Sequence, residues 1–361
     1  MSWPKVKLGD CCDIVSGATP KTGNPDYWGG DIPWVSPKSL SKLENKYLDT
    51  PTEYITQAGF DSCSTRILPA KSLLLSCRAP VGLTAINREP ICTNQGFKSL
   101  IPNPEMVDIN YLFHVMREMR PRLEAQGRGA TFTEVSKSIV ERFEIPLPPL
   151  DEQRRIAAIL DKASEISQNT EQAFEKREGL KNSVFIELFG DPLNTSQWQK
   201  VSFLDGVQDV TRSQSKIPQK EFLESGVLPI IDQGRQNIGG WTNDPSLVCT
   251  VPLPNIIFGD HTGVLKFLDF PYALGADGVK VLIPKDLNFE PFFLYHLLRF
   301  LPLPDVGYSR HYKFLKQFML ICPPIQLQRK FERIVNSINQ IPESAGLAKE
   351  NAQSILQEML T

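Results

Sequence analysis

Residues 145–156 read IPLPPLDEQRRI, and residues 320–331 repeat the motif as LICPPIQLQRKF. In each copy a Pro-Pro pair is followed four residues later by Gln-Arg. Proline is tolerated just before and at the first turn of a helix, but not inside one. The two copies therefore predict two helices, each of which begins directly after a globular region of the chain.

Other similar segments occur in the same order in both halves of the chain, so one unit is present twice. The pairs are YLFHVMR (111–117) with FLYHLLR (293–299), NQGFKSLIP (94–102) with ADGVKVLIP (276–284), NSVFIELF (182–189) with QSILQEML (353–360), and Trp3 with Trp198. The repeat predicts an α+β fold with pseudo-two-fold symmetry. We expect mixed α/β domains at 1–150 and 191–324, a first helix at 151–190 and a second at 325–361.

Both helices carry apolar residues at heptad spacing, which is typical of coiled coils. Arg177 interrupts the stripe of the first helix, and Pro342 interrupts the second helix and predicts a kink there. Two such stripes in one chain favour an antiparallel intramolecular coiled coil. The alternative is that each helix packs only on its own globular domain.

Composition gives a weaker signal. The 361 residues carry a formal net charge of −2, whereas a DNA-binding protein often has a basic excess. The seven cysteines form no C-x-x-C pair, so zinc binding is not indicated. The sequence shows no signal segment and no apolar run long enough to span a membrane, and we expect a cytoplasmic protein.

Several segments resemble the specificity subunits of type I restriction–modification systems. They are SGATPKTGNPDYWGGDIPWVSPKSL (16–40), SCRAPVG (76–82), TNQGFKSLIP (93–102), IPLPPLDEQRRIAAILD (145–161) and LFGDP (188–192). The resemblance extends over nearly the whole chain and is most specific at the start of the first helix. The second half departs from the pattern, since it has no acidic residue at the position that Glu152 occupies in the first.

The resemblance implies two target recognition domains, each of which reads one half of a split site in double-stranded DNA. The helices would set the gap between the halves and dock methyltransferase subunits, which we expect to number two. Those partners would use S-adenosylmethionine, and translocase/endonuclease subunits would use ATP and Mg²⁺. The chain itself is then a non-catalytic subunit, without cofactor, catalytic residues or a metal site.

The residues of the chain agree with a non-catalytic role. Neither Pro-Pro pair belongs to the Asn/Asp-Pro-Pro-aromatic motif of adenine methyltransferases, and no phosphate-binding loop of the P-loop type occurs. Asp26, Glu44 and Lys46 loosely match a Mg²⁺-dependent nuclease motif, so a stand-alone nuclease is one alternative. A coiled-coil adaptor that binds other proteins is another.

Sequence readers present Arg, Lys, Asn, Gln, Ser or Thr on loops near base edges, and aromatic residues often accompany them. The sequence predicts such contacts in both halves. The candidates are Lys21, Thr22, Tyr27, Trp28, Lys38, Arg128 and Thr131 in the first half, and Arg212, Ser213, Gln233, Arg235, Gln236, Asn237, Tyr308, Arg310, His311 and Lys313 in the second.

Overall fold

The chain forms two compact units that divide within a long helix, between Glu171 and Gln172. The computed structural model describes residues 3–340 except 42, 44, 50, 52, 128–133, 277 and 305–308. Glu44, Arg128, Thr131, Tyr308 and Pro342, which the sequence analysis singled out, therefore lie outside the described residues. No described helix is both long enough and apolar enough to cross a membrane.

Unit 1 combines short strands with short helices and ends in the long helix. Its strands are β1 (Lys5–Lys7), β2 (Cys12–Ser16), β3 (Trp28–Val35), β4 (Tyr47–Leu48), β5 (Glu53–Ile55), β6 (Leu73–Leu75), β7 (Thr84–Asn87), β8 (Cys92–Thr93), β9 (Lys98–Pro102) and β10 (Glu144–Pro146). Its helices are α1 (Leu8–Cys11), α2 (Pro37–Leu40), α3 (Gln57–Asp61), α4 (Ile109–Glu118), α5 (Arg120–Glu124), α6 (Lys137–Arg142) and α7 (Leu150–Phe189).

Unit 2 follows the same plan. Its strands are β11 (Lys200–Ser202), β12 (Val207–Asp209), β13 (Lys216–Ile217), β14 (Leu228–Ile231), β15 (Gly240–Thr242), β16 (Asn255–Gly259), β17 (Leu265–Leu268), β18 (Ala273–Gly275), β19 (Val279–Pro284) and β20 (Met319–Ile321). Its helices are α8 (Phe203–Gly206), α9 (Pro291–Arg299), α10 (Tyr312–Leu315) and α11 (Ile325–Asn339).

The internal repeat is visible in the sheet topology. The larger sheet has the order β2-β9-β6-β7-β4 in unit 1 and β12-β19-β16-β17 in unit 2. In the smaller sheet, β3 pairs in parallel with β8 and antiparallel with β5, and β14 pairs in the same way with β18 and β15. A two-stranded ribbon, β1-β10 or β11-β20, closes each unit next to the helix that follows. Nine strands of each unit thus have a counterpart in the other unit, and β4 in unit 1 and β13 in unit 2 are the additions.

The central strand of each larger sheet is apolar on both faces, because each face covers a separate core. In β6, Leu73 and Leu75 belong to the core beneath α4, whereas Leu74 belongs to a second core on the opposite face. In β16, Ile256 and Phe258 contact the core beneath α9, and Ile257 contacts the opposite one. Continuous apolar runs such as LLL and IIF are the expected signature of strands buried on both sides.

A buried glutamine joins unit 1 to the start of α7. Gln153 is fully buried, and its Nε2 donates hydrogen bonds to the carbonyl oxygens of Met106 (2.9 Å) and Pro148 (2.8 Å). Its Oε1 accepts a hydrogen bond from the backbone N–H of Asp108 at 2.9 Å. Both donors and the acceptor of the amide are used, so the first turn of α7 is held to the segment that leads into α4.

The same arrangement recurs in unit 2, where Gln328 is also fully buried. Its Nε2 donates to the carbonyl oxygens of Asn288 and Pro323, both at 2.8 Å, and its Oε1 accepts from the backbone N–H of Glu290 at 2.9 Å. We call Gln153 and Gln328, with the backbone groups they bind, the glutamine junctions. They explain why the Pro-Pro-x-x-x-Gln spacing appears in both copies of the motif.

Helix α7 contributes to the cores of both units. Near its start, Ile156 and Leu160 are buried in unit 1. Near its end, Phe185 and Phe189 are fully buried in unit 2, where Phe185 stacks on Phe300 with 4.6 Å between the ring centroids. The alternative that this helix packs only on the domain before it is therefore wrong. For the second helix, the structure describes α11 as far as Asn339.

Replacing Gln153 with Met should destabilise unit 1 by about 3 kcal/mol. Methionine has a similar length, but it would leave one N–H and two carbonyl oxygens buried without a partner, and each such group costs about 1–3 kcal/mol. Urea unfolding followed by circular dichroism would measure the loss. Gln328→Met should have a similar effect on unit 2.

Gln172→Met is the control, because Gln172 lies on the exposed surface of α7 and its replacement should change the free energy of unfolding by less than about 0.5 kcal/mol. If Gln153→Met costs no more than this control, the glutamine junction does not stabilise the fold as described.

Candidate nucleic-acid interface

Hydrogen bonds and close contacts connect several loops of unit 1. Thr19, in the loop after β2, donates to the side chain of Gln95, in the loop between β8 and β9. The backbone N–H of Cys77, after β6, donates to Gly96 O at 2.7 Å, and that of Val135 donates to Cys77 O at 2.9 Å. The loops 17–24, 76–82 and 94–97 and the segment before α6 therefore form one continuous surface.

Two tryptophans hold the 17–24 loop in place. Trp34 Nε1 donates to Ala18 O at 3.1 Å, and Trp28 packs edge-on against Trp34 with 5.1 Å between centroids. Gly17 is required by close approach, since a Cβ there would lie 2.2 Å from the carbonyl oxygen of Asn94. The candidate Trp28 thus supports the loop.

The remaining candidates in the described part of unit 1 differ in how far their side chains are exposed to solvent. Lys21 and Thr22 are exposed on the 17–24 loop, and Lys38 is exposed on α2, directly after β3. Tyr27 is half-buried, and its backbone carbonyl accepts a hydrogen bond from Thr56 N at 3.0 Å.

The sequence analysis missed two polar side chains on this surface, Arg78 and Gln95. Both are exposed, and Arg78 Nε lies 3.1 Å from Glu134 Oε2. They follow directly on buried strands, in segments quoted above for the family resemblance. The sequence signal that could have identified Arg78 and Gln95 is a polar residue located between a buried strand and a glycine.

In unit 2 the corresponding loops also contact one another. Thr262 Oγ1 donates to Gln233 O at 2.7 Å, and His261 N donates to Gln233 Oε1 at 3.2 Å. Asp260 N donates to Gly278 O, and His311 N donates to Asp260 O at 2.6 Å. The 232–239 loop, the turn after β16 and the segment before α10 therefore meet.

The candidates in these loops differ in their exposure to solvent. Five of them are exposed, namely Arg235, Gln236, Asn237, Arg310 and Lys313.

Two other candidates of unit 2 point inward. Gln233 is half-buried, and its Oε1 accepts the hydrogen bond from His261 N described above. His311 is only 8% exposed, and its Nδ1 lies 3.2 Å from Asp260 O. These two side chains hold the loops that carry their exposed neighbours.

Arg212 and Ser213 belong to a 3-10 turn, Thr211–Ser213, that packs beside β19. Arg212 is exposed, and Ser213 Oγ donates to Val210 O at 3.0 Å. The turn is tied to β19 because Val281 N donates to Thr211 Oγ1 at 2.8 Å.

A buried ammonium group lies beneath the 232–239 loop. Lys266 Nζ donates to Asp232 O (2.9 Å) and Gln236 O (2.6 Å) and lies 3.5 Å from Asp232 Oδ1. Burial lowers the pKa of Lys266, and the carboxylate of Asp232 opposes that shift. The loop backbone is thus held from inside the unit while the side chains at its tip face solvent.

Comparison with known proteins agrees with this geometry. Residues 2–176 match the family model of the type I restriction modification DNA specificity domain. The chain is 29% identical over 386 residues to the specificity subunit of the type I restriction enzyme MjaIX of Methanocaldococcus jannaschii, in a match that covers 94% of this chain and 89% of that one. Residues 2–176 thus match a type I DNA specificity domain, and nearly the whole chain is similar to a type I specificity subunit.

Two further similarities fit this family. The specificity subunit of EcoR124I/EcoR124II of Escherichia coli is 30% identical over 162 residues, which cover 43% of this chain and 39% of that one. The crystal structure of the type I S subunit from M. genitalium superposes with a TM-score of 0.64 at 16% identity and covers 100% of this chain and 95% of that chain. The likeness confirms the predicted fold class, two mixed α/β domains joined by long helices.

Lys46, the lysine of the nuclease alternative, has a structural role. Lys46 Nζ lies 2.5 Å from Asp161 Oδ2 on α7 and donates to Asn110 Oδ1 at 2.9 Å. His114 Nε2 lies 2.8 Å from the other carboxylate oxygen. Burial would raise the pKa of Asp161, but the hydrogen bonds from His114 and Lys46 hold it below its usual value.

Asp26, the other described member of the nuclease motif, is exposed within the 3-10 turn Pro25–Tyr27. Within the described residues, no three His, Cys, Asp or Glu side chains are grouped so that they could hold a metal ion.

Lys46→Met should reduce the stability of unit 1 by about 1–2 kcal/mol, because it removes the hydrogen bonds from a charged group to Asp161 and Asn110. Urea unfolding would measure the loss, and Lys5→Met, at an exposed position of β1, is the matched control. We also expect that the purified chain does not cleave plasmid DNA in Mg²⁺, with or without the substitution. If the parent protein cleaves the plasmid and Lys46→Met abolishes that cleavage, the nuclease hypothesis is restored.

Proposed function

We propose that this chain is the DNA-specificity subunit of a type I restriction–modification complex, and that each unit reads one block of a two-part DNA sequence. The observation that carries the proposal is the repetition of one scaffold with different polar side chains at its loops. The loop after β3 carries Lys38, and the equivalent loop after β14 carries Arg235, Gln236 and Asn237. A pair of readers on the same framework can recognise two unrelated blocks.

The residue types in these loops suit direct readout of base edges. Arginine forms two hydrogen bonds with guanine, and asparagine or glutamine forms two with adenine in the major groove. In unit 2 these types are adjacent and exposed at Arg235, Gln236 and Asn237. In unit 1 the exposed set is Lys21, Thr22, Lys38, Arg78 and Gln95.

Because the chain has no net positive charge, we expect its DNA binding to depend on partner subunits. With a formal net charge of −2, the chain has no general attraction for phosphates, and exposed lysines and arginines supply only local contacts. We propose that methyltransferase subunits, two in number, dock on the helices and complete the surface that binds DNA. These subunits would use S-adenosylmethionine, and translocase/endonuclease subunits would use ATP and Mg²⁺. The chain itself would use no cofactor and catalyse no step.

Replacing Arg235, Gln236 and Asn237 together with alanine should relax only one block of the recognised sequence. A lost base contact costs about 1–3 kcal/mol in discrimination, and the other unit retains its own contacts. Modified-base sequencing of cells that express the variant with its methyltransferase partner would measure both blocks.

Alanine at Lys285, an exposed residue at the end of unit 2's larger sheet, is the control and should leave both blocks unchanged. Equal degeneration of the two blocks in the triple variant would contradict the modular interpretation.

The helices should also set the gap between the two blocks. Helix α7 has 40 residues, and at about 1.5 Å per residue it extends about 60 Å. One heptad added to α7 among its exposed residues 171–176, and one to the second helix, keeps the heptad stripes in register. Each helix grows by about 10 Å, which corresponds to about three base pairs at 3.4 Å each.

We therefore expect the unspecified gap to grow by up to about three base pairs, while both blocks keep their sequence. Modified-base sequencing gives the gap directly. An unchanged gap in a folded, active variant would show that the helices do not determine the spacing.

A further inference from the structure

Lys266 occupies the middle of β17, where its side chain is only 5% exposed. All of its described hydrogen bonds go to the 232–239 loop: to Asp232 O (2.9 Å), Gln236 O (2.6 Å) and Asp232 Oδ1 (3.5 Å). An ammonium group has three protons, so these acceptors can use all of them. One side chain thus holds both ends of the segment whose tip carries Arg235.

The positions of the acceptors matter for function. Lys266 binds the backbone carbonyl of Gln236, and the side chain of Gln236 remains exposed. The first half of the loop is fixed as well, since Asp232 Oδ1 accepts a hydrogen bond from Gly234 N at 2.9 Å. The backbone is therefore held while the side chains at the tip stay available to a ligand.

A buried amine is costly unless it is paired and hydrogen-bonded. The equivalent position of unit 1 carries an apolar residue, which needs no such partners. Ala85 of β7 pairs with Leu74, the central residue of β6, and Lys266 pairs with Ile257, the central residue of β16. Ala85 is fully buried, and in unit 1 the loop after β3 continues as the short helix α2 instead. The lysine is thus specific to the unit in which the equivalent strand is followed by an irregular loop and not by a helix.

We propose that Lys266 is a positioning residue that fixes the 232–239 loop for base readout and so determines how strictly the second DNA block is read. The inference rests on the proposed function, in which Arg235, Gln236 and Asn237 contact bases. Lys266 itself touches no DNA. A backbone that is held in place cannot move the tip side chains to accommodate a wrong base, and it needs no ordering on binding.

Lys266→Met tests the proposal, because methionine has a similar length but no donors. The chain is assembled with its methyltransferase subunits, and its affinity is measured for duplexes with single-base changes in either block. We expect discrimination within the second block to fall about tenfold, the effect of one lost base contact, with the first block unchanged. Hydrogen exchange of the amides at residues 234–239 should accelerate while exchange in β16 and β19 stays slow.

Three variants serve as controls. Lys285→Met removes an exposed positive charge from the same unit and should leave discrimination in both blocks unchanged. Lys266→Arg keeps the charge and the donors and should recover discrimination in the second block. If Lys266→Met does not fold, Lys266→Gln keeps a polar group at the site and should give the same loss in the second block.

The outcomes separate this inference from the function on which it rests. If Arg235, Gln236 and Asn237 prove necessary for the second block but folded Lys266 variants discriminate normally, the positioning role is refuted and the proposed function stands. Equal loss in both blocks, or faster exchange throughout unit 2, would also refute it, since the effect would then be on the fold. If the triple alanine variant changes neither block, the proposed function fails, and the inference fails with it.

Discussion

The glutamine junction is the interaction on which the rest of the structure depends. A side-chain amide in a fully buried site must find partners for its two N–H groups and its oxygen, and Gln153 finds all of them on the backbone around the helix start. The junction therefore has one geometry, and the first turn of α7 is held to the loop before α4. Gln328 imposes the same geometry on α11, so both globular units pass into their helices in the same way.

The larger sheets depend on a second constraint, the burial of their central strands on both faces. Leu74 and Ile257 each contact a core that their neighbours in β6 and β16 do not reach. A core on each face of the larger sheet fixes its strands, and the loops at their ends can differ without loss of the scaffold. Unit 1 has a short helix after β3, whereas unit 2 has an irregular loop held by Lys266. Variation in loops on a constant framework is what a protein that reads two different blocks requires.

The candidate site was only partly predictable from the sequence. Lys21, Thr22 and Arg235 are exposed on loops, as their residue types and neighbours indicate. Residue type could not indicate which polar side chains turn inward: Gln233 and His311 hold their loops from within. Whether any of these residues contacts DNA stays a prediction.

By itself, the sequence determined the internal repeat, the start of each helix, the α+β class and the family, because all of these are expressed in local patterns of apolar, proline and glutamine residues. Only the tertiary structure decided which polar residues support the loops and which remain exposed. The reason is distance along the chain: Lys266 binds a loop about 30 residues before it, and Lys46 binds Asp161 from more than 100 residues away. Such pairs leave no periodic signal, since they form only when the sheets bring the segments together.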